Sequence, residues 1–284
     1  MMKTHSTYIE DSLSNILHPL FIASRMWRYR GLIRQLTWRQ VVVRYKGSFI
    51  GLGWAFIQPL LMLAVYTFVF SVVFKARWGV QPGETRMSFA VTLFMGLITY
   101  NLFSEMVSAA PSIILSNVNF VKKIVFPLDV LPLVHMLSVV VNSLFSLAIL
   151  LIGVVLVNGG IPLTAFLLPL IWLPMCMLSL GLGYFLASLG VFIRDLNTAV
   201  RVIVMMFFFL TPIFYPITRV PPKFQMLIRC NPIAIFVENS RRVVVWGMMP
   251  QWSWLLAGCV FSLLVLLFGY VWFMKSKKAF GDVI

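Results

Sequence analysis

Long apolar runs alternate along the chain with short basic segments, and the runs have the length of membrane helices. A spanning helix needs about 20 mainly apolar residues. No Asp, Glu, Lys or Arg occurs from Phe49 to Phe74, which predicts a first span. A second is expected from about Met87 to Ser108, with one acid, Glu105, near its end. The 64 positions from Val130 to Ile193 carry no charged residue and are too long for one helix. The turn Asn158-Gly159-Gly160-Ile161-Pro162 divides them into a third and a fourth span, because Asn-Gly-Gly and Pro punctuate helices. A fifth span runs from about Thr198 to Tyr215 and a sixth from about Trp252 to Met274. Six crossings put both termini on one side of the membrane.

Two segments are not simple loops. In Arg25 to Gly47, the residues Tyr29, Leu32, Ile33, Leu36 and Val43 fall on one helical face, flanked by Arg28, Arg39 and Lys46. This predicts an amphipathic helix lying in the interface. The segment Pro216 to Gln251 holds apolar stretches too short to span, broken by Pro221-Pro222 and Asn231-Pro232. Short helices that dip into the membrane and return fit it, since irregular backbone at that depth must be surrounded by protein or a water cavity. A long ordinary loop is the plainer alternative. The predicted architecture is therefore all-α and membrane-integral: a tail over 1–24, an interfacial helix over 25–48, a six-span domain over 49–274 with a re-entrant segment 216–251, and a tail over 275–284.

Composition agrees with this pattern. The 284 residues are 61% hydrophobic and 11% charged, against about 45–50% and 25% in soluble domains. A soluble enzyme, a disordered chain and a fibrous protein are excluded. The net charge of +15 belongs to the membrane borders, where bases fix topology and touch anionic lipid, and no nucleic-acid partner is expected. With the N-terminus inside, 15 of the 23 Lys and Arg residues fall on the cytoplasmic side, as the positive-inside rule requires. Residues 1–47 show no compact apolar core before a small-residue site, so no cleavable signal is expected.

Little catalytic chemistry is visible. The three Cys form no CxxC, and His5, His18 and His135 are too scattered for a ligand set, so no metal site is expected. Suitable carboxylate pairs, His/Asp pairs and an HExxH motif are all missing, which argues against a glycosyltransferase, an acyltransferase or a protease. There is no GxxxxGK[ST] loop for ATP, so any pump action needs another subunit to supply the energy.

Arg44-Tyr45-Lys46-Gly47-Ser48-Phe49-Ile50-Gly51-Leu52-Gly53-Trp54, followed by Pro59, resembles the R-Y-K-x-S-x-L-G-x-x-W…P signature of ABC-type polysaccharide exporter permeases. Ile50 stands where that family usually has Leu. Lys122-Lys123-Ile124-Val125-Phe126-Pro127 is similar to its K-x-x-F-P element, and Phe192-Ile193-Arg194-Asp195 to its F-x-R-D element. Thr211-Pro212-Ile213-Phe214-Tyr215, then Asn231-Pro232 and Glu238-Asn239-Ser240-Arg241, resemble the outer T-P-I-x-Y and N-P-x5-E-x2-R elements. The tail Phe280-Gly281-Asp282-Val283-Ile284 is similar to F-A-E-x-L endings.

The resemblance implies a non-enzymatic subunit of an ATP-driven exporter in a bacterial inner membrane. Two copies pair as a channel, and two ATPase subunits dock beneath and hold the ATP and Mg, with no cofactor bound by this chain. The expected cargo is a lipid-linked polysaccharide, O-antigen before capsule and teichoic acid; a membrane enzyme of glycan assembly, such as a polymerase, is the alternative from another class. Arg44, Tyr45 and Lys46 stand where a lipid pyrophosphate would arrive, through charge-assisted bonds or as general lipid anchors. Lys122, Lys123, Arg194 and Asp195 fall in the ATPase-coupling elements, with capping of the next helix the simpler role for Asp195. Tyr66, Phe70 and Phe74, spaced every four residues, and Phe207, Phe208, Phe214 and Tyr215 suit a channel in which sugar C–H faces slide over aromatic rings; each ring alone is as readily a packing residue. Glu238, Arg241 and Arg242 line an outer gate or form an i,i+3/i+4 pair. Gly181, Gly183 and Ala187 suit close helix packing.

Overall fold

The computed structural model of the chain describes residues 26–73, 85–121 and 126–283, together with Ser24 and Trp78. The described residues are helical, with no strand among them. In order, the helices of eight residues or more are α1 (Arg30–Tyr45), α2 (Trp54–Thr67), α3 (Arg86–Ala109), α4 (Val130–Asn158), α5 (Leu168–Phe192), α6 (Leu196–Leu210), α7 (Pro222–Arg229), α8 (Pro232–Val244) and α9 (Trp252–Ser276). A π-helical turn, Phe68–Val73, prolongs α2.

Among the described residues, four of the six expected spans are long and apolar enough to cross a membrane: Arg86–Ser112, Val130–Asn158, Leu163–Phe192 and Trp252–Ala279. The other two are apolar but shorter, Trp54–Phe70 and Leu196–Leu210. Pro59 inside α2, which cannot donate its backbone bond, and the turn through Thr211–Tyr215 after α6 go with these shorter elements.

The central element is α3, in which every residue from Phe89 to Tyr100 is buried. Around it pack α4, α5, α6 and α8. The most extensive helix pairing among the described residues is α5 with α9: a Cβ added at Gly181 would lie 2.6 Å from the Leu266 backbone, and one at Gly269 would overlap the Gly181 carbonyl. Small residues thus let two long helices touch backbone to backbone, where lipid supplies no hydrophobic force between them.

The amphipathic helix is present as α1 and lies against α4, burying Ile33 beside Val130 and Val134. Its buried stripe is Ile33, Thr37 and Val41, spaced i,i+4 as one helical face requires. Val43, expected on that face, is instead exposed. The outer segment holds α7 and the 13-residue α8, and α8 is wedged among α3, α5 and α9 with Phe236, Val237, Val243 and Val244 fully buried.

Exposed apolar side chains line α2 and the π-helical turn after it (Leu61, Val65, Phe68), α6 (Val202, Ile203, Met205, Phe209) and α9 (Leu256, Val260, Leu264). Patches of this size are not left in water by soluble monomers. The chain is a multi-pass membrane protein.

Candidate functional site

The candidate site lies at one end of α3. Arg44 and Tyr45 end α1, and the Arg44 guanidinium donates to the Glu105 carboxylate of α3 in an ion pair that stays partly exposed. Beside it, the Tyr45 hydroxyl donates to Asn142 Oδ1 of α4 at 3.1 Å. Burial raises the Tyr45 pKa, with the neighbouring Arg44 charge pulling it the other way. One turn earlier on α1, Gln40 Nε2 and His135 Nδ1 are 2.7 Å apart.

Arg44, Tyr45, Glu105 and Asn142 open into a cleft of about 280 Å³ between α1, α2, α3 and α4. Arg44, Tyr45 and Glu105 form its charged end, Gln58, Asn101 and Asn142 give it amide groups, and Tyr66 and Phe208 give it rings. Two sets of residues placed apart by the sequence, an entrance (Arg44, Tyr45) and an aromatic path (Tyr66, Phe208), therefore share one cavity. Lys46 caps the end of α1, exposed, and does not line the cleft. Chemically the cavity offers one exchangeable charge pair, several amides and the rings of Trp54, Tyr66, Phe94 and Phe208, which suits a hydroxyl-rich ligand carrying an anionic group.

Sequence reasoning passed over Gln58, Asn101 and Asn142. Their signal was available: each is an amide inside an otherwise apolar span, where an unsatisfied polar group costs several kcal/mol and so marks a buried contact or a polar cavity.

Most of the other expected channel rings pack on one another. Phe70 stacks on Phe214 with centroids 4.4 Å apart, Phe208 meets Phe214 at 5.1 Å and Tyr66 meets it at 5.6 Å. Phe207 approaches Phe103 at 6.4 Å, and the Tyr215 hydroxyl donates to the Phe209 carbonyl. The cluster ties α2, α3 and α6 together, with Tyr66 and Phe208 as its members in the cleft. Phe74 lies outside the described residues.

Of the expected coupling residues, Lys122 and Lys123 also lie outside the described residues. Arg194 and Asp195 are exposed in the turn between α5 and α6. Asp195 occupies the N-cap position of α6, but its side chain makes no capping bond; its carbonyl receives the Thr198 and Ala199 N–H groups instead. Its backbone is helical at φ −76°, ψ −9°, whereas a capping side chain works from an extended one. Just before this turn, Gly190 sits so close to Pro111 that any Cβ would overlap the Pro111 carbonyl. The segment after α3 and the end of α5, two elements expected to share one task, are thus in contact.

At the opposite end of α3, Arg241 of α8 is fully buried. Its Nε donates to the Thr92 carbonyl at 3.0 Å, Nη1 to Pro212 at 2.6 Å and Nη2 to Ile213 at 2.8 Å. Its guanidinium lies 4.2 Å from the centre of the Trp78 ring and 3.8 Å from a Glu238 oxygen. A side chain at position 96 would occupy the guanidinium's space, so Gly96 is required there. The expected i,i+3 pair with Glu238 exists, but the backbone carbonyls are the main partners of Arg241. Arg242 points elsewhere, its Nε donating to the Met249 carbonyl. Pinning α8 to the end of α6 and the start of α3 is what this arrangement does.

The sequence profile of the ABC-2 type transporter family matches residues 31–245. The O-antigen export system permease protein RfbA of Myxococcus xanthus is 26% identical over 93% of this chain and 99% of its own length. The polysialic acid transport protein KpsM of Escherichia coli is 23% identical over 87% and 94%, respectively. The capsule polysaccharide export inner-membrane protein CtrC of Neisseria meningitidis is 24% identical over 88% and 92%.

Proposed function

The chain belongs to the ABC-2 type transporter family, and on that premise we propose that it is the channel-forming permease of an ATP-driven exporter of lipid-linked polysaccharide. The observation that carries this reading is the single cleft joining Arg44 and Tyr45 to Tyr66 and Phe208. An anionic lipid headgroup displaces Glu105 from Arg44 at the cytoplasmic border. The sugars that follow meet amides and ring faces, which tolerate different monosaccharides. Two copies face each other through the exposed apolar side of α6, whose Val202, Ile203, Met206 and Phe209 are too apolar for a water-filled surface. The short α2 and α6 complete six crossings, α7 and α8 are re-entrant, and both termini are cytoplasmic in a bacterial inner membrane. A separate ATPase pair holds ATP and Mg and docks on the contact between the segment after α3 and the end of α5.

O-antigen is the preferred cargo, because the O-antigen relative shares more identity over more of the chain than the polysialic acid and capsule polysaccharide relatives do. The decisive experiment depletes the protein in its host and locates the lipid-linked glycan with a lectin. Full-length glycan reached only after the cells are opened is the expected result. Short or absent glycan would overturn export in favour of a biosynthetic enzyme.

A further inference from the structure

A second cavity, of about 530 Å³, opens at the Arg241 end of the molecule, between the segment after α6, helix α8 and the start of α9. That size falls within the range of small-ligand pockets, about 300–1,000 Å³. Its walls include Trp78, Trp246 and Trp254, with Glu238, Gln251 and Thr218 among its polar groups. Trp246 and Trp254 are half-buried, while Gln251 and Thr218 are exposed, so rings and hydrogen-bonding groups are both within reach of a ligand.

The wall is rigid. Asn239 fixes it, donating to the Ile235 carbonyl and accepting the Gln251 backbone N–H at 2.7 Å. Beneath, Arg241 is held by three carbonyls. Tryptophan rings beside a carboxylate suit either a cation or a sugar, and local charge decides between them. Arg241 already lies over the Trp78 ring and 3.8 Å from the Glu238 carboxylate, so the protein's own cation engages that ring and that charge. A cationic ligand would meet its repulsion. A neutral sugar incurs none: its C–H face covers an indole, its hydroxyls donate to Glu238, and Gln251 both donates and accepts.

We propose that this cavity is a saccharide-binding subsite, distinct from the inner cleft, which takes one sugar unit of the emerging polymer. The inference rests on the export reading for the nature of the polymer, but the site itself rests on Trp246, Trp254, Glu238 and Gln251. Holding a unit there opposes backward sliding while the inner cleft reloads.

The test uses the full chain in lipid nanodiscs and an oligosaccharide of a few repeat units. The oligosaccharide is released by mild acid from the host's surface polysaccharide and labelled at its reducing end. Saturable binding is expected, weakened about tenfold by Trp254→Ala, Trp246→Ala or Glu238→Gln, and unchanged by Trp27→Ala, which lines neither cavity. No binding by the wild-type chain, equal binding by the Trp254 and Trp246 variants, loss in Tyr66→Ala alone, or displacement by choline would each overturn the proposal. Should Trp254→Ala not fold, Gln251→Ala at an exposed position carries the test, and unchanged affinity there overturns it. The depletion experiment is independent: glycan trapped inside the cell together with no binding here rejects the subsite and keeps export, whereas short glycan rejects export whatever this titration gives.

Discussion

Arg44 and Arg241 sit at opposite ends of α3, each beside a carboxylate, and they do opposite jobs. Their partners on that helix, Glu105 and Thr92, are 13 positions apart, about 20 Å at 1.5 Å per residue. Arg44 is 44% exposed and its described partner is one carboxylate. Such pairs contribute about 0–1 kcal/mol, so an incoming anion exchanges with the carboxylate at little cost. Arg241 has no exposed surface and donates to three carbonyls from two other segments. Removing it strands buried acceptors at about 1–3 kcal/mol each. The same residue type is a reversible contact where water reaches it and a fixed rivet where its donors are all taken by backbone.

The strongest way to break this comparison is at the rivet. Arg241→Ala should lower unfolding stability by several kcal/mol, of the order of 3–5, read as a large drop in the thermal midpoint of the detergent-solubilised protein. Gly96→Val should do the same by evicting the guanidinium, while Arg241→Lys restores part of the loss. A wild-type midpoint for Arg241→Ala would show that the carbonyl cradle is not needed.

At the other end, Arg44→Gln should cut glycan export severely yet shift stability by no more than about 1 kcal/mol. Exchanging the pair, Arg44→Glu with Glu105→Arg, sharpens the point: the ion pair returns, stability stays near wild type, and export stays low. Recovery of export in the exchanged variant would mean that the pair, and not the position of the cation, is what matters.

The smallest effect is expected at the start of α6. Asp195→Ala should change the stability read from the thermal midpoint by no more than about 0.5 kcal/mol, because no capping bond is lost. A true cap would cost about 1 kcal/mol, so a loss of that size would show that Asp195 caps α6 after all.

Much of the frame follows from one-dimensional pattern. Runs with at most one charge marked α3, α4, α5 and α9, since a buried or lipid-facing charge is costly at any register. The period of α1 and the Pro and Asn breaks around α7 and α8 were equally plain. Asp195 misled because capping depends on a backbone angle that the residue type alone does not set. Val43 misled because the partner surface, not the period, chose which stripe of α1 to bury.

By itself, then, the sequence determined an all-helical membrane protein, the approximate bounds of its helices and the amphipathic segment beside them. Those are properties of local hydropathy, summed over neighbouring residues. Only the tertiary structure decided that Arg44 meets Glu105 across 61 positions and that Arg241 reaches Thr92 across 149. It alone decided that Gln58, Asn101 and Asn142 line one cleft with Tyr66 and Phe208. Such pairings depend on how helices stack around α3, where the small residues at Gly96, Gly181 and Gly190 set the approach distances, and no local sum of hydropathies carries that information.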